Sequence, residues 1–208
     1  MSEASDSLRI GVFGGAFDPP HLAHLALARV AVTQLQLDQL RLFPTGQAWH
    51  KVRPLTDAAH RVAMTHLAFA DVPQVRVDER EIERTGPTYT IDTLQQLQRE
   101  YPGAALFLIL GEDQLKALHT WHRYADILHT AIICVAMRPD STESGRNLDS
   151  AATKVIEADG RFQRLLLPAM AISSTHIRQR VAAAQGIADL VPEPVARYIA
   201  QHHLYQDS

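Results

Sequence analysis

Two histidines preceded by glycines and an aspartate form the segment of this chain best suited to chemistry. His21 and His24 lie three residues apart at the start of a helix-like run, after Gly14, Gly15 and Asp18. This spacing places both imidazole rings on one face of a helix. Glycines let a ligand approach the backbone, Asp18 can fix the turn by accepting backbone hydrogen bonds, and the amides of a helix N-terminus attract anions. The segment therefore predicts a phosphate site; a strand–helix turn with two surface histidines is the simpler alternative.

Hydroxyl side chains and an arginine open a second helix-like run. Ser173, Ser174 and Thr175 stand at its start, and Arg178 lies within its first turn. Capping of the helix explains one hydroxyl. A bound polyphosphate better explains three hydroxyls together with a cation that opposes the helix dipole.

Length, charge and cysteine content restrict the class of protein. The chain has 208 residues and a formal net charge of −3, from 20 basic and 23 acidic side chains. One domain with a full core is expected, and the absence of a basic stretch argues against a nucleic-acid polymer as partner. The single cysteine, Cys134, excludes an internal disulfide and is expected to be buried. With no apolar run of membrane-spanning length, we expect a soluble cytoplasmic protein and no membrane partner.

Strand-like and helix-like runs alternate along the chain, which predicts an α/β fold with a Rossmann-like, open, mostly parallel sheet and helices on both faces. Such sheets bind ligands beyond the carboxyl ends of their strands, so Gly14–His24, Gly111–Asp113 and Ser173–Arg178 should meet at one edge. Thr56 is expected to cap one helix and Gly186 to end another. The predicted strands are 8–13, 39–43, 74–78, 105–110, 132–136 and 164–167; the predicted helices are 22–36, 56–70, 90–100, 114–118, 123–128, 149–158, 175–185 and 192–202.

The two segments together resemble the nucleotidylyltransferase superfamily. That superfamily carries a G-x-F-D-P-x-H-x-x-H turn and an S-S-T-x-I-R helix start, which match Gly14–His24 and Ile172–Arg178. Further stretches resemble one branch, the bacterial nicotinate-mononucleotide adenylyltransferases. These stretches are His50-Lys51, Gly86–Leu94, Leu110–Asp113 followed by Trp121, and the ending from Leu190 to Tyr205.

The resemblance implies transfer of an adenylyl group from ATP to nicotinate mononucleotide in NAD biosynthesis. Direct in-line attack needs no protein nucleophile, so orientation and charge stabilisation would set the rate. Mg²⁺ would arrive with ATP and bridge phosphate oxygens, with few protein ligands and no structural zinc. Residues 170–208 would form a C-terminal helical part that completes the ATP site of the single domain.

The implied site residues fall into three groups. Catalysis is assigned to His21, His24 and Arg178. ATP binding is assigned to Gly14, Gly15, Ala16, Phe17, His21, His24, Lys51, Gly111, Asp113, Ser173, Ser174, Thr175, Ile177 and Arg178. Nicotinate mononucleotide binding is assigned to Asp18, His50, Lys51, Thr88, Tyr89, Thr90 and Trp121.

Some of these assignments keep an alternative. Trp121 could stack on the pyridine ring or be a core aromatic, with Trp49 as a second platform. The segment from Thr88 to Thr90 could offer amides to the nicotinate carboxylate or simply cap a helix. Asp113 could accept from a ribose hydroxyl or be solvated. Ala16 stands where the family usually has a hydroxyl residue, which implies one phosphate contact fewer.

Other functions also stay open on the sequence alone. A sister transferase would act on nicotinamide mononucleotide, pantetheine phosphate or flavin mononucleotide. A non-catalytic nucleotide sensor would keep the fold, but both histidines and Arg178 argue against it. Monomer and homodimer are equally compatible with the sequence.

Overall fold

The computed structural model describes residues 7–46, 55–137, 161–168 and 170–206, which contain a six-stranded sheet. The strands are hydrogen-bonded in the order β3-β2-β1-β4-β5-β6, and the pairs β1–β4, β4–β5 and β5–β6 are parallel. The predicted α/β fold with a Rossmann-like sheet is confirmed. The strands are β1 (Arg9–Gly15), β2 (Gln39–Pro44), β3 (Val75–Val77), β4 (Ala105–Gly111), β5 (Ile132–Met137) and β6 (Phe162–Leu166).

Helices occupy most of the remaining described residues. The helix predicted at 149–158 lies outside those residues. A 3₁₀ turn, Leu118–Thr120, follows α5. The α-helices are α1 (Leu22–Gln34), α2 (Ala58–Phe69), α3 (Arg80–Glu83), α4 (Thr90–Glu100), α5 (Glu112–Ala117), α6 (Tyr124–Thr130), α7 (Ser174–Ala182) and α8 (Glu193–Gln201).

Most helix ends differ from the prediction by a few residues, and at two of them the residue expected to cap or end the helix is a different one. Asp57 caps α2 by accepting from the amide of Ala59 at 2.8 Å, so the predicted cap, Thr56, is wrong. Helix α7 ends at Ala182, and Ala184, with a φ of 53°, takes the left-handed conformation expected of Gly186. The short helix α3 was not predicted, because four residues are too few for an apolar period to show.

One compact unit contains most of the sheet core. It holds the described residues of Met1–Phe13, Val30–Arg41 and Tyr89–Pro168. The middle of β4, from Leu106 to Leu110, is buried throughout, as its continuous apolar sequence predicts. Cys134 of β5 is fully buried, as predicted, and burial raises the pKa of its thiol to about 12.

A second compact unit holds the described residues of Gly14–Arg29, Leu42–Thr88 and Ala169–Ser208. Within it, α8 packs on α2, with Val195 and Ile199 buried. The hydroxyl of Tyr198 lies 3.0 Å from Nδ1 of His60. The single-domain arrangement stays a prediction. No described helix has both the length and the apolar character to span a membrane.

Candidate active site

The turn between β1 and α1 is built around the ring of Phe17. Phe17 is 1% exposed and has a φ of 47°, in the left-handed region. Its ring meets that of His24 edge-on, with centroids 5.2 Å apart. A Cβ added to Gly15 would come within 3.1 Å of the same ring, whereas a Cβ on Gly14 would meet no described heavy atom within 4 Å. Of these two glycines, Gly15 therefore makes room for the Phe17 ring, whereas Gly14 has space beside it that a ligand could occupy.

Gly14→Ala and Gly15→Ala form a matched pair that separates space for a ligand from space for packing. We expect Gly14→Ala to keep the melting temperature and to raise the KM for ATP about tenfold, because its methyl group enters the predicted phosphate site. Gly15→Ala should instead lower the melting temperature, because its methyl group crowds the Phe17 ring. Thermal unfolding and steady-state kinetics of both variants provide the measurement. An unchanged KM in Gly14→Ala would remove this glycine from the ATP site.

His21 and His24 form a stacked pair at the start of α1. Their ring centroids lie 3.7 Å apart with an interplanar angle of 18°, which confirms that both rings share one face. The amide of His21 donates to Nδ1 of His24 at 3.3 Å. Because Nδ1 of His24 accepts, the proton of its neutral ring lies on Nε2. Nδ1 of His21 is buried with no hydrogen-bond partner among the described residues.

Burial keeps both imidazoles neutral at physiological pH. It lowers the pKa of His21 to about 4. The pKa of His24 also lies well below its usual value, through burial first and the neighbouring His21 second. The pair thus offers N–H donors without a net charge, and a bound anion would raise both pKa values. This arrangement suits contact with phosphate oxygens.

The start of α7 is tied to the histidine turn through main-chain carbonyls. The hydroxyl of Ser174 donates to the carbonyl of Pro19 at 2.9 Å. Nη1 of Arg178 donates to the carbonyl of Asp18 at 2.7 Å. The two segments predicted to bind phosphate are therefore in direct contact, as the sequence analysis expected.

The other residues at this helix start have separate tasks. Ser173 is the N-cap and accepts from the amide of His176 at 3.2 Å, so the prediction that one hydroxyl caps the helix is confirmed. The hydroxyl of Thr175 accepts from Nη2 of Arg178 at 3.2 Å. Ile177 is fully buried. Their contacts with ATP stay predictions.

A buried polar cluster behind the turn was not predicted from the sequence. The carboxylate of Asp18, 1% exposed, accepts from the hydroxyl of Tyr205 at 2.8 Å and from the amide of Thr56 at 3.3 Å. Arg61, 2% exposed, donates to the carbonyls of Thr56 and Ala16, each at 2.9 Å. Asp18 does accept a backbone hydrogen bond, from the distant amide of Thr56, whereas hydrogen bonds from amides of its own turn stay a prediction. Its contact with nicotinate mononucleotide stays a prediction.

The sequence holds one signal for this cluster. Arg61, Thr65 and Ala68 are separated by four and then three residues, and all three lie on the buried face of α2. An arginine on such a face must find acceptors inside the protein, since a buried cation without partners is costly. Burial lowers the pKa of Arg61, and the charge of Asp18 opposes that shift.

Gly111, Asp113 and Trp121 belong to the first unit. The amide of Gly111 donates to the side chain of Gln114 at 3.0 Å. Asp113 is fully exposed in the first turn of α5, with Nζ of Lys116 at 3.9 Å. Trp121 follows the 3₁₀ turn and is partly buried, which fits both a stacking platform and a residue at the edge of the core. Their roles in binding substrates stay predictions.

The predicted nicotinate-binding segment spans the start of α4. Tyr89 is the N-cap of α4 and makes no side-chain capping hydrogen bond, so the segment does begin a helix, as the capping alternative has it. The Tyr89 ring lies 4.2 Å from that of His122, and the hydroxyl of Thr88 donates to the carbonyl of Glu81 at 3.3 Å. Thr90 is the first residue of the helix. The predicted residues His50 and Lys51, and the alternative Trp49, lie outside the described residues.

Metal ligands are not clustered in the part of the chain that the structure describes. No group of three or more His, Cys, Asp or Glu side chains is arranged there to hold a metal ion.

A known family matches both the fold and this site. The family model described as cytidylyltransferase-like matches residues 12–180, from β1 into α7. The match includes the histidine turn and the Ser173–Arg178 helix start. The fold and the site therefore define a nucleotidyltransferase.

Similar sequences show which branch of the nucleotidyltransferases this chain resembles. A protein of Albidiferax ferrireducens is 58% identical over 95% of this chain and 98% of its own length. One of Methylibium petroleiphilum is 43% identical over 97% of this chain and 94% of its own. Each is described as "Probable nicotinate-nucleotide adenylyltransferase". The chain belongs to the family of nicotinate-nucleotide adenylyltransferases.

Solved structures show the same fold. The Plasmodium falciparum nicotinic acid mononucleotide adenylyltransferase complexed with NaAD matches with a TM-score of 0.74 and 17% identity, over 97% of this chain and 98% of that chain. The same enzyme complexed with APC matches equally well. At 17% sequence identity, this similarity shows a shared fold and nothing more specific.

Proposed function

We propose that this protein transfers the adenylyl group of ATP to nicotinate mononucleotide, forming nicotinate adenine dinucleotide and pyrophosphate. The observation that carries the proposal is the direct contact between the turn bearing His21 and His24 and the helix start bearing Arg178. The names of the relatives, at up to 58% identity, support the same reaction. We place it in the cytoplasm as a step of NAD biosynthesis.

The reaction proceeds by direct displacement. An oxygen of the 5′-phosphate of nicotinate mononucleotide attacks the α-phosphorus of ATP, the bond to the β-phosphate oxygen breaks, and pyrophosphate leaves with that electron pair. Nε2 of His24 donates to an α-phosphate oxygen where negative charge develops, and His21 supports a neighbouring oxygen. Lys51 and Arg178 hold the triphosphate. Mg²⁺, brought in by ATP as part of the substrate, would supply neutralisation of phosphate charge.

Recognition of the pyridine ring is assigned to residues around the start of α4 and the 3₁₀ turn. A carboxylate accepts hydrogen bonds only, whereas a carboxamide both donates and accepts. Amides of the Thr88–Thr90 segment therefore favour the acid over the amide. Trp121, partly exposed, supplies an aromatic face for stacking.

Coupled release of pyrophosphate tests this proposal. Purified protein with MgATP should release pyrophosphate when nicotinate mononucleotide is added, and only weakly with nicotinamide mononucleotide. Chromatography of the products should show nicotinate adenine dinucleotide in equal amount. Pantetheine phosphate and flavin mononucleotide, run in parallel, serve as controls for the sister transferases. Turnover with one of these instead would replace the proposed acceptor, and ATP binding without turnover on any acceptor would favour a nucleotide sensor.

A further inference from the structure

Tyr205 stands beyond α8 with its side chain turned into the protein. The residue is 7% exposed, and its hydroxyl donates to the Asp18 carboxylate at 2.8 Å, across 187 positions of sequence. Its backbone has a φ of 66°, a conformation that is unfavourable for an aromatic residue. Such a conformation persists only where surrounding contacts determine it. The position of Tyr205 is therefore fixed by its side-chain contacts rather than by its local backbone.

The hydroxyl of Tyr205 keeps its proton and donates it to the Asp18 carboxylate. Burial and the charge of Asp18 both raise the pKa of the phenol, so the proton stays on oxygen. The Asp18 carboxylate also accepts from the amide of Thr56, and the Thr56 carbonyl accepts from Arg61. Because the Asp18 carboxylate is buried, loss of the hydroxyl removes one of its hydrogen-bond donors at a position where the loss is costly.

Asp18 transmits this restraint to the proposed phosphate site. Its carbonyl accepts from Arg178, and the carbonyl of the next residue, Pro19, accepts from Ser174. Two positions further along the chain, His21 begins the stacked pair. A shift of the Asp18 side chain therefore moves the main chain that holds both Arg178 and the histidines.

We propose that Tyr205 is a positioning residue for adenylyl transfer, which acts through the Asp18 carboxylate to hold the histidine turn against Arg178. The inference rests on the proposed function. Tyr205 touches neither substrate in this scheme, so its effect arises from the placement of groups that do. Misplacement of reacting groups by an ångström or less lowers rates strongly.

Tyr205→Phe and Tyr198→Phe provide a matched test. Each removes one tyrosine hydroxyl that hydrogen-bonds within the second unit, but Tyr198 contacts His60 instead of Asp18. We expect Tyr205→Phe to lower kcat about tenfold and to weaken ATP binding severalfold, measured well below the melting temperature. Tyr198→Phe should keep both values within about twofold of the wild type. If the two variants have equal kcat and equal ATP affinity, Tyr205 is merely structural and the inference fails.

The double variant Asp18→Asn/Tyr205→Phe tests whether the effect passes through Asp18. Residues that act as a unit give non-additive losses, so the double variant should be about as active as Asp18→Asn alone. Fully additive losses would overturn the coupling. The wild-type assay separates this result from the proposed function. If the wild type binds ATP but transfers nothing to nicotinate mononucleotide, the proposed function fails, and the ATP affinities of the two phenylalanine variants still decide the role of Tyr205.

Discussion

Replacement of His24 by alanine is expected to lower kcat by about 10²-fold or more while ATP still binds. The neutral ring carries its proton on Nε2, because Nδ1 accepts from the amide of His21. Two contacts fix the orientation of the His24 ring and therefore of this N–H bond: the stack on His21 and the edge-on contact with Phe17. A donor held in this way needs no reorganisation as charge develops on the α-phosphate. Its loss should therefore affect the transition state more than the ground state.

Single-turnover kinetics and calorimetric titration with ATP separate the two effects. His24→Gln is a useful companion, because its amide keeps one N–H donor. His119→Ala is the matched control, since His119 is exposed and its ring contacts only the Lys116 carbonyl among the described residues. Nearly normal turnover in His24→Ala would contradict the assignment of this histidine to the α-phosphate.

Stability is expected to decrease as the pH falls from about 6.5 to about 4, because the histidine pair is buried in its neutral form. The pKa of His21 is about 4 in the folded protein and about 6.5 in the unfolded chain. Above pH 6.5 the ring is neutral in both states, so it makes no difference to stability. Below that value the unfolded state binds the proton first and gains stability. His21 alone should remove about 3 kcal/mol from the free energy of unfolding over this range, and His24 acts in the same direction.

Urea unfolding at a series of pH values measures this effect. Carboxylates titrate near the lower end of the range, so the informative quantity is the difference between the wild type and His21→Asn. This difference in the free energy of unfolding should change steadily from pH 7 to pH 4.5, because the variant lacks the titrating ring. His119→Asn should follow the wild type. Parallel curves for the wild type and His21→Asn would show that the pair is not buried in its neutral form.

Several features of the protein follow from local sequence. The continuous apolar run of β4 predicts a strand that is buried throughout, and the structure buries Leu106–Leu110. The three-residue spacing of His21 and His24 predicts a shared helix face, because the helical period is fixed by backbone geometry. The α/β fold likewise follows from the alternation of strands and helices. The start of α2 was less predictable, because the adjacent residues Thr56 and Asp57 are both acceptable N-cap residues.

Other features depend on the backbone conformation and the burial of residues in the folded protein. The sequence around Gly14 and Gly15 does not show which of the two faces an aromatic ring. Gly15 faces the ring of Phe17, whose left-handed backbone conformation is a feature of the folded protein. The low pKa of His21 results from burial, which a sequence motif does not contain.

The sequence by itself determined the class of fold, the family and the two segments predicted to bind phosphate, because these depend on local spacing and residue type. Only the tertiary structure decided how the histidine turn is held. Asp18, Arg61 and Tyr205 come together from three separate parts of the chain. Their hydrogen bonds form because each polar group is buried and must find a partner there, a requirement that exists only in the folded protein.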